Sequence, residues 1–166
     1  MAKKNLKYYI PGAIALVLGI ATFCMMFLDA VKYTADLVIT SASYSYTGAQ
    51  LAFGYSESVG SVSTEILSFN IFALLAYLLP LIGGVLALLL KNGLLTKVLT
   101  TACFVVGAVL LFSIVGYAKM GMSEAQQTLV ENMNNAMGVG AIIAAILSII
   151  GAVVCFFKGT IAKMFK

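Results

Sequence analysis

The chain has 166 residues, 62% of them hydrophobic and 10% charged, with a mean hydropathy of +1.07. So little polar surface cannot coat a water-soluble globule, and lipid has to be part of the solvent. The net charge of +4 is carried by lysine alone, with no His, Arg or Trp, and the basic flank of a membrane protein explains it without a nucleic-acid partner.

Lys3, Lys4 and Lys7 open the chain, and the first apolar run follows at 8–28. A basic start before an apolar stretch also fits a signal peptide. This run exceeds the ~7–15 residues of such a segment and no small-x-small cleavage site follows it closely, so it is read as a retained helix. Gly12, Ala15, Gly19 and Thr22 alternate by three and four along it, a stripe suited to close helix packing. Asp29 is expected to end this helix.

The first outer loop, 29–65, contains "LVITSASYSYTGAQLAFGYSES". The β-branched run Leu37–Thr40 precedes a period-two alternation in which Ser41, Ser43 and Ser45 interleave with Ala42, Tyr44 and Tyr46. With Thr47-Gly48 as a turn and 49–55 as a second strand, the stretch predicts a β-hairpin, with a short third strand near 59–62. The alternation predicts an apolar face toward the helices and a Tyr/Ser face toward solvent. Tyr44, Tyr46 and Tyr55 are the candidate partner-binding residues, because tyrosine gives large contact area at low rotamer cost. Tyr8, Tyr9, Tyr33 and Tyr117 are assigned to the interfacial aromatic belt.

The second apolar run, 66–90, contains Pro80, Gly83 and Gly84, a candidate kink. Its only amide is Asn70, near the outer end. The inner loop, 91–97, is "KNGLLTK", with Gly93 expected as a left-handed cap. The third run covers 98–117. Outer loop two, 118–136, carries Ser123 and Gln126 at capping-box spacing. Leu129, Val130 and Met133 recur at helical spacing after it, so the fourth helix is expected to start outside the membrane and run inward. The fourth run, 137–157, has a small-residue stripe at Gly140, Ala144, Ser148 and Ala152, and the tail is 158–166.

Each apolar run is long enough for a bilayer of ~30 Å, which takes about 20 helical residues, and lipid demands that each be helical. Lys3, Lys4, Lys7, Lys91, Lys97, Lys158, Lys163 and Lys166 fall in the two termini and the middle loop, against Lys32 and Lys119 in the outer loops. The asymmetry places both termini in the cytoplasm of a multi-pass cell-membrane protein. The fold expected is an all-α transmembrane, antiparallel four-helix bundle with a small extracellular β-hairpin or sheet. Cys24, Cys103 and Cys155 lie inside apolar runs and are read as small buried residues, with Cys155 close enough to Lys158 for acylation at the membrane edge.

Four helices, inward-facing ends, a longer first outer loop with strand character and a short second one resemble the claudin-type tetraspan arrangement. The resemblance covers the chain as topology. The claudin loop signature, Trp-Gly-Leu-Trp with two cysteines, has no counterpart here, so no residue role is carried over.

No His, H-E-x-x-H or G-x-S-x-G is present, and the acids are scattered, so no catalytic residue, metal site or cofactor is assigned and the chain is not read as an enzyme. The expected function is that of a non-catalytic membrane scaffold or accessory protein, with the bilayer, a protein partner or a second copy as its contacts. The alternative is a small oligomeric channel or transporter subunit.

Overall fold

The computed structural model describes residues 3–36, 41–59, 62–90 and 93–164. Helix α1 (Lys3–Cys24) ends in a short 3₁₀ turn and leads into strands β1 (Asp29–Asp36) and β2 (Ser41–Thr47). Helix α2 (Gly48–Phe53), β3 (Tyr55–Val59) and β4 (Val62–Leu67) complete the first connection. Helices α3 (Ile71–Leu89) and α4 (Leu94–Phe112) follow, then the short α5 (Ile114–Ala118) and α6 (Glu124–Glu131). Strand β5 (Asn134–Met137) precedes α7 (Val139–Phe156) and α8 (Lys158–Met164).

Four helices are long and apolar enough to cross a membrane: Tyr9–Phe27, Ile71–Leu89, Leu94–Phe112 and Val139–Phe156. They contact one another in a ring, α1 on α3, α3 on α4, α4 on α7 and α7 on α1. The start of α1 meets α8, and the start of α7 meets the end of α1, so both chain ends lie at one end of the ring.

Glycine and alanine set how close the helices come. A methyl added to Gly12 would meet the Ala87 carbonyl at 2.6 Å, one on Gly84 the Ala15 carbonyl at 2.8 Å, and one on Gly19 the Pro80 carbonyl at 2.6 Å. The α1 stripe thus presses backbone to backbone on Pro80, Gly84 and Ala87, in antiparallel order. Gly83 turns the other way, toward Cys103 and Phe104 of α4, and Gly107 lies against the Pro80 ring. Helix α3 runs unbroken through Pro80, and Pro80, Gly83 and Gly84 all serve these two seams. Gly140 packs on Leu28 and the Met25 carbonyl, while Ala144, Ser148 and Ala152 are buried below it.

Phe104 is the one large side chain fully buried in the lower helix cluster, where its neighbours are Ala15, Ala87, Ala152 and Cys155. Its ring fits because Gly83 and Gly151 leave it room on either side. The large aliphatics point the other way. Ile142, Ile146, Ile149 and Val153 of α7, and Val98, Val105 and Val109 of α4, are exposed on the outside of the ring.

A second apolar cluster lies under the strands at the other end, built on Met26, Val31, Tyr33, Leu51, Tyr77 and Leu111 with their neighbours. Strand order in the main sheet is β2-β1-β5, all antiparallel, and β3 pairs with β4 in a separate hairpin.

Several local expectations are corrected. The first hairpin lies one strand earlier than the sequence suggested, with β1 as its first arm; Leu37–Thr40 fall outside the described residues. Residues 49–53 are helical, and Val59 and Val62 flank the turn of the second hairpin. The capping box forms at Thr47 and Gln50, where Gln50 N donates to Thr47 Oγ1 and Thr47 N donates to Gln50 Oε1. Ser123 precedes α6 without a side-chain cap. Gly93 is extended at the start of α4, at φ −123°. The fourth long helix does not reach back to Leu129, because β5 separates α6 from α7. Residues 66–67 end β4, so the second apolar run becomes helical only at Ile71. Cys24 is exposed. Cys155 is buried at 1% exposure, as expected of a small apolar residue.

Candidate partner-binding surface

The surface begins with β1, whose sequence alternates by two. Val31 and Tyr33 are fully buried and Lys32 is exposed. Antiparallel pairing puts Val31 opposite Tyr46, Lys32 opposite Ser45 and Tyr33 opposite Tyr44. Residues directly opposite share a face, so Tyr44 and Tyr46 lie on the face that carries Val31 and Tyr33. The outward face carries Lys32, Ser43 and Ser45. This splits the expected Tyr/Ser face: the serines lie on the outward face, while Tyr44 and Tyr46 share the face of Val31 and Tyr33, with Tyr44 exposed at the edge strand and Tyr46 half-buried.

The three candidate tyrosines therefore divide. Tyr46 is half-buried and meets Tyr33 edge to face, with ring centroids 6.3 Å apart, a diagonal same-face pair. Tyr55 also packs against the upper core. Tyr44 alone reaches out, at 55% exposure, from β2. Burial, and then Tyr46, push the Tyr33 hydroxyl up to about 12. Burial also raises Tyr46, with Tyr44, Glu57 and Tyr55 adding to it. Neither Tyr33 nor Tyr117 is a belt residue: both are buried, and the Tyr117 hydroxyl donates to Leu110 O at 3.0 Å.

On its other side β1 is covered by β5, with Val31 opposite Met137 and Tyr33 opposite Asn135. The sequence Asn134-Asn135-Ala136-Met137 has low strand propensity, and the waiting β1 ladder decides its conformation. Gly138 N donates to Ala30 O at 2.8 Å, and Gly138 passes so close to Asp29 that a side chain would not fit.

Asn70 ties this platform to the long helices. It is 6% exposed and caps α3: its Oδ1 accepts from Phe72 N at 3.0 Å and Ala73 N at 3.3 Å. Its Nδ2 donates to Tyr117 O at 3.0 Å, and its backbone N donates to Ala52 O at 3.2 Å. One residue thus joins α2, α3 and α5, through its side-chain amide and its backbone N–H. Ser68 adds a second tie, with N and Oγ both donating to Gly121 O. Beside them an open groove of about 500 Å³ is lined by Phe53, Gly54, Tyr55, Ser56, Ser63 and Glu65, with Leu67 and Phe69. Gly54 enters it at φ +88°, a conformation that favours glycine, with the Leu67 carbonyl 2.8 Å from where a side chain would begin.

The helix-packing candidates lie in the seams of the ring: Gly12, Gly19, Ser148 and Ala152 away from this platform, Gly140 against Asp29 at the start of β1 and Ala144 in the cluster beneath the strands. Thr22 and Thr100 donate back to Leu18 O and Thr96 O. Among the described residues, the hydroxyls of Tyr33, Tyr77, Thr101 and Ser148 are buried without a hydrogen-bond partner. Sequence reasoning missed Phe104 and Lys158. Lys158 is 3% exposed, and its Nζ donates to Ala87 O and, at 3.3 Å, to Leu90 O. It closes the carbonyl end of α3, a position that favours a cation.

Four candidate spans fit a tetraspan topology. Comparison of the chain with protein-family models, with curated proteins and with solved structures finds no match in any of the three.

Proposed function

We propose that the chain crosses the cell membrane four times as an antiparallel bundle, termini in the cytoplasm, and works there as a non-catalytic docking protein. Large aliphatics outside and Ala/Gly inside suit a lipid solvent, whereas in water so wide an apolar belt would be an unpaired interface. The sheet then lies on the outer side, and among the described residues β2 forms one of its two edges, β5 the other.

One observation carries the docking role. β2 is a sheet edge whose exposed residues, Ser43, Tyr44 and Ser45, include no charge and no proline. Soluble proteins guard such edges with Lys, Pro or a bulge, because an open ladder accepts a further strand. An extended segment of a partner protein would pair with β2 and cover Tyr44.

A photo-crosslinking residue placed at position 44 in cells is expected to capture a discrete protein species, and one at the opposite-facing Lys32 to capture markedly less. A proline at Ser45 should abolish capture at 44 while leaving the helical circular dichroism intact. Equal capture at both positions removes the docking reading. Conductance in liposomes holding the purified protein replaces it with the channel reading.

A further inference from the structure

The end of the ring where the chain starts and finishes carries the steepest charge imbalance in the molecule. Helices α1, α3, α4, α7 and α8 contain no Asp or Glu. All six acids, Asp29, Asp36, Glu57, Glu65, Glu124 and Glu131, lie in the outer connections. Lys3, Lys4 and Lys7 sit in the first turns of α1, Lys97 in the first turn of α4, and Lys158 and Lys163 on α8. Contact between α1 and α8 gathers two of these groups. Lys97 joins them, because its Nζ lies 2.8 Å from where a side chain on Gly159 would begin. Lys91 and Lys166 belong to the same end by sequence and fall outside the described residues.

These cations have different uses. Lys158 is consumed internally, its ammonium turned onto the carbonyls of Ala87 and Leu90. The Lys97 ammonium has no hydrogen-bond or ion-pair partner among the described residues, and Lys97 is only half-buried beside the α7–α8 junction. No carboxylate on a described neighbouring helix answers it. Several lysines placed on helices without Asp or Glu, at the level where the apolar belt stops, call for anions from outside the chain. The belt itself says what borders it: if these helices stand in a bilayer, the nearest anions are lipid phosphates.

We propose that this face is an anionic-lipid binding surface, on which Lys97, the lysines of α1 and Lys163 of α8 hold the headgroups of acidic phospholipids while Lys158 keeps α3 closed behind them. The proposal rests on the membrane reading above. The attraction is electrostatic, short-ranged and sensitive to salt. Glycine at 159 keeps the junction open beside the Lys97 ammonium, where a side chain would crowd it.

The test uses the full chain, purified in mild detergent and reconstituted in nanodiscs of phosphatidylcholine alone or of an equal mixture with phosphatidylglycerol. In the mixed discs, lipids kept by the protein after detergent re-extraction are expected to be several-fold enriched in phosphatidylglycerol. Lys97→Gln should weaken the enrichment about twofold, within the ceiling of about fivefold for one lysine, Lys97→Gln with Lys163→Gln should bring it closer to none, and 0.5 M salt should reduce it to a similar degree. Lys158 is left intact, and the melting of each variant in phosphatidylcholine controls for folding. Equal retention of the two lipids, or enrichment unmoved by the lysine changes, overturns the proposal. If a soluble polyglutamate displaces the lipid stoichiometrically, an acidic protein is the true occupant and the proposal fails. A chain that enters neither kind of disc refutes the membrane reading instead.

Discussion

Tyrosine 33 shows how one side chain can look like surface and act as core. Its alternation with Lys32 marks it as inward, yet its Tyr identity suggested the interfacial belt. It is fully buried and its hydroxyl has no partner, so that oxygen contributes a desolvation cost and nothing in return. Tyr33→Phe is therefore expected to leave stability at neutral pH unchanged or to raise it by about 1 kcal/mol. The pH response has a definite sign. The folded-state pKa, about 12, lies above the ordinary value near 10. The folded chain then keeps a proton that the unfolded chain has lost, so this contribution is whole below pH 10 and is lost as pH rises from about 10 to about 12. The slope is at most roughly 1.4 kcal/mol per pH unit. Denaturation curves of the two proteins across that window should diverge as the pH climbs, the wild type losing stability that Tyr33→Phe keeps. A constant gap between them would mean that Tyr33 ionises freely in the folded state.

At the scale of elements, the α1–α3 seam is the least forgiving part of the molecule. Gly12, Gly19 and Gly84 each meet backbone, which cannot rotate aside as a side chain can. Gly19→Leu is expected to cost about 1–3 kcal/mol or more through overpacking, read as earlier unfolding in a detergent titration. Gly116 on α5 is the control, since nothing lies within 4 Å of a methyl placed there. Gly116→Ala should be neutral or add about 0.4–1 kcal/mol by restricting the unfolded chain. Matching losses at both positions would show that helix propensity, and not the seam, sets the effect. Both small-residue stripes could be read from the primary structure. Their partners could not, because spacing of three and four fits a seam within one chain as well as one between two.

For the whole molecule, the grouping of lysines at one end and acids at the other makes a prediction about sidedness. In a cysteine-free background, Ser43→Cys should react with a membrane-impermeant maleimide on intact cells, and Lys163→Cys only after permeabilisation. The opposite pattern would invert the proposed orientation and with it both proposed surfaces. A molecule oriented as proposed offers two different faces to two compartments. The outer one is an uncharged sheet edge suited to a protein segment. The inner one is a basic rim suited to phosphate.

Hydrophobic length is a local property, so the residues alone determined that there are four apolar helical rods and that the polar connections gather at their ends. Amphipathic alternation, also local, marked part of the sheet, although it was placed one strand late because Asp29 and Asp36 disguised β1 as loop. Only the folded arrangement decided the rest. Pairing across a sheet joins residues as distant as Tyr33 and Asn135, and it turned the low-propensity segment Asn134–Met137 into a strand. The same pairing sent Tyr46 inward and left Tyr44 out. Lys158 found its carbonyls on a helix some 70 residues earlier in the chain. Such contacts depend on which backbones come within reach of one another, and no window of neighbouring residues contains that information.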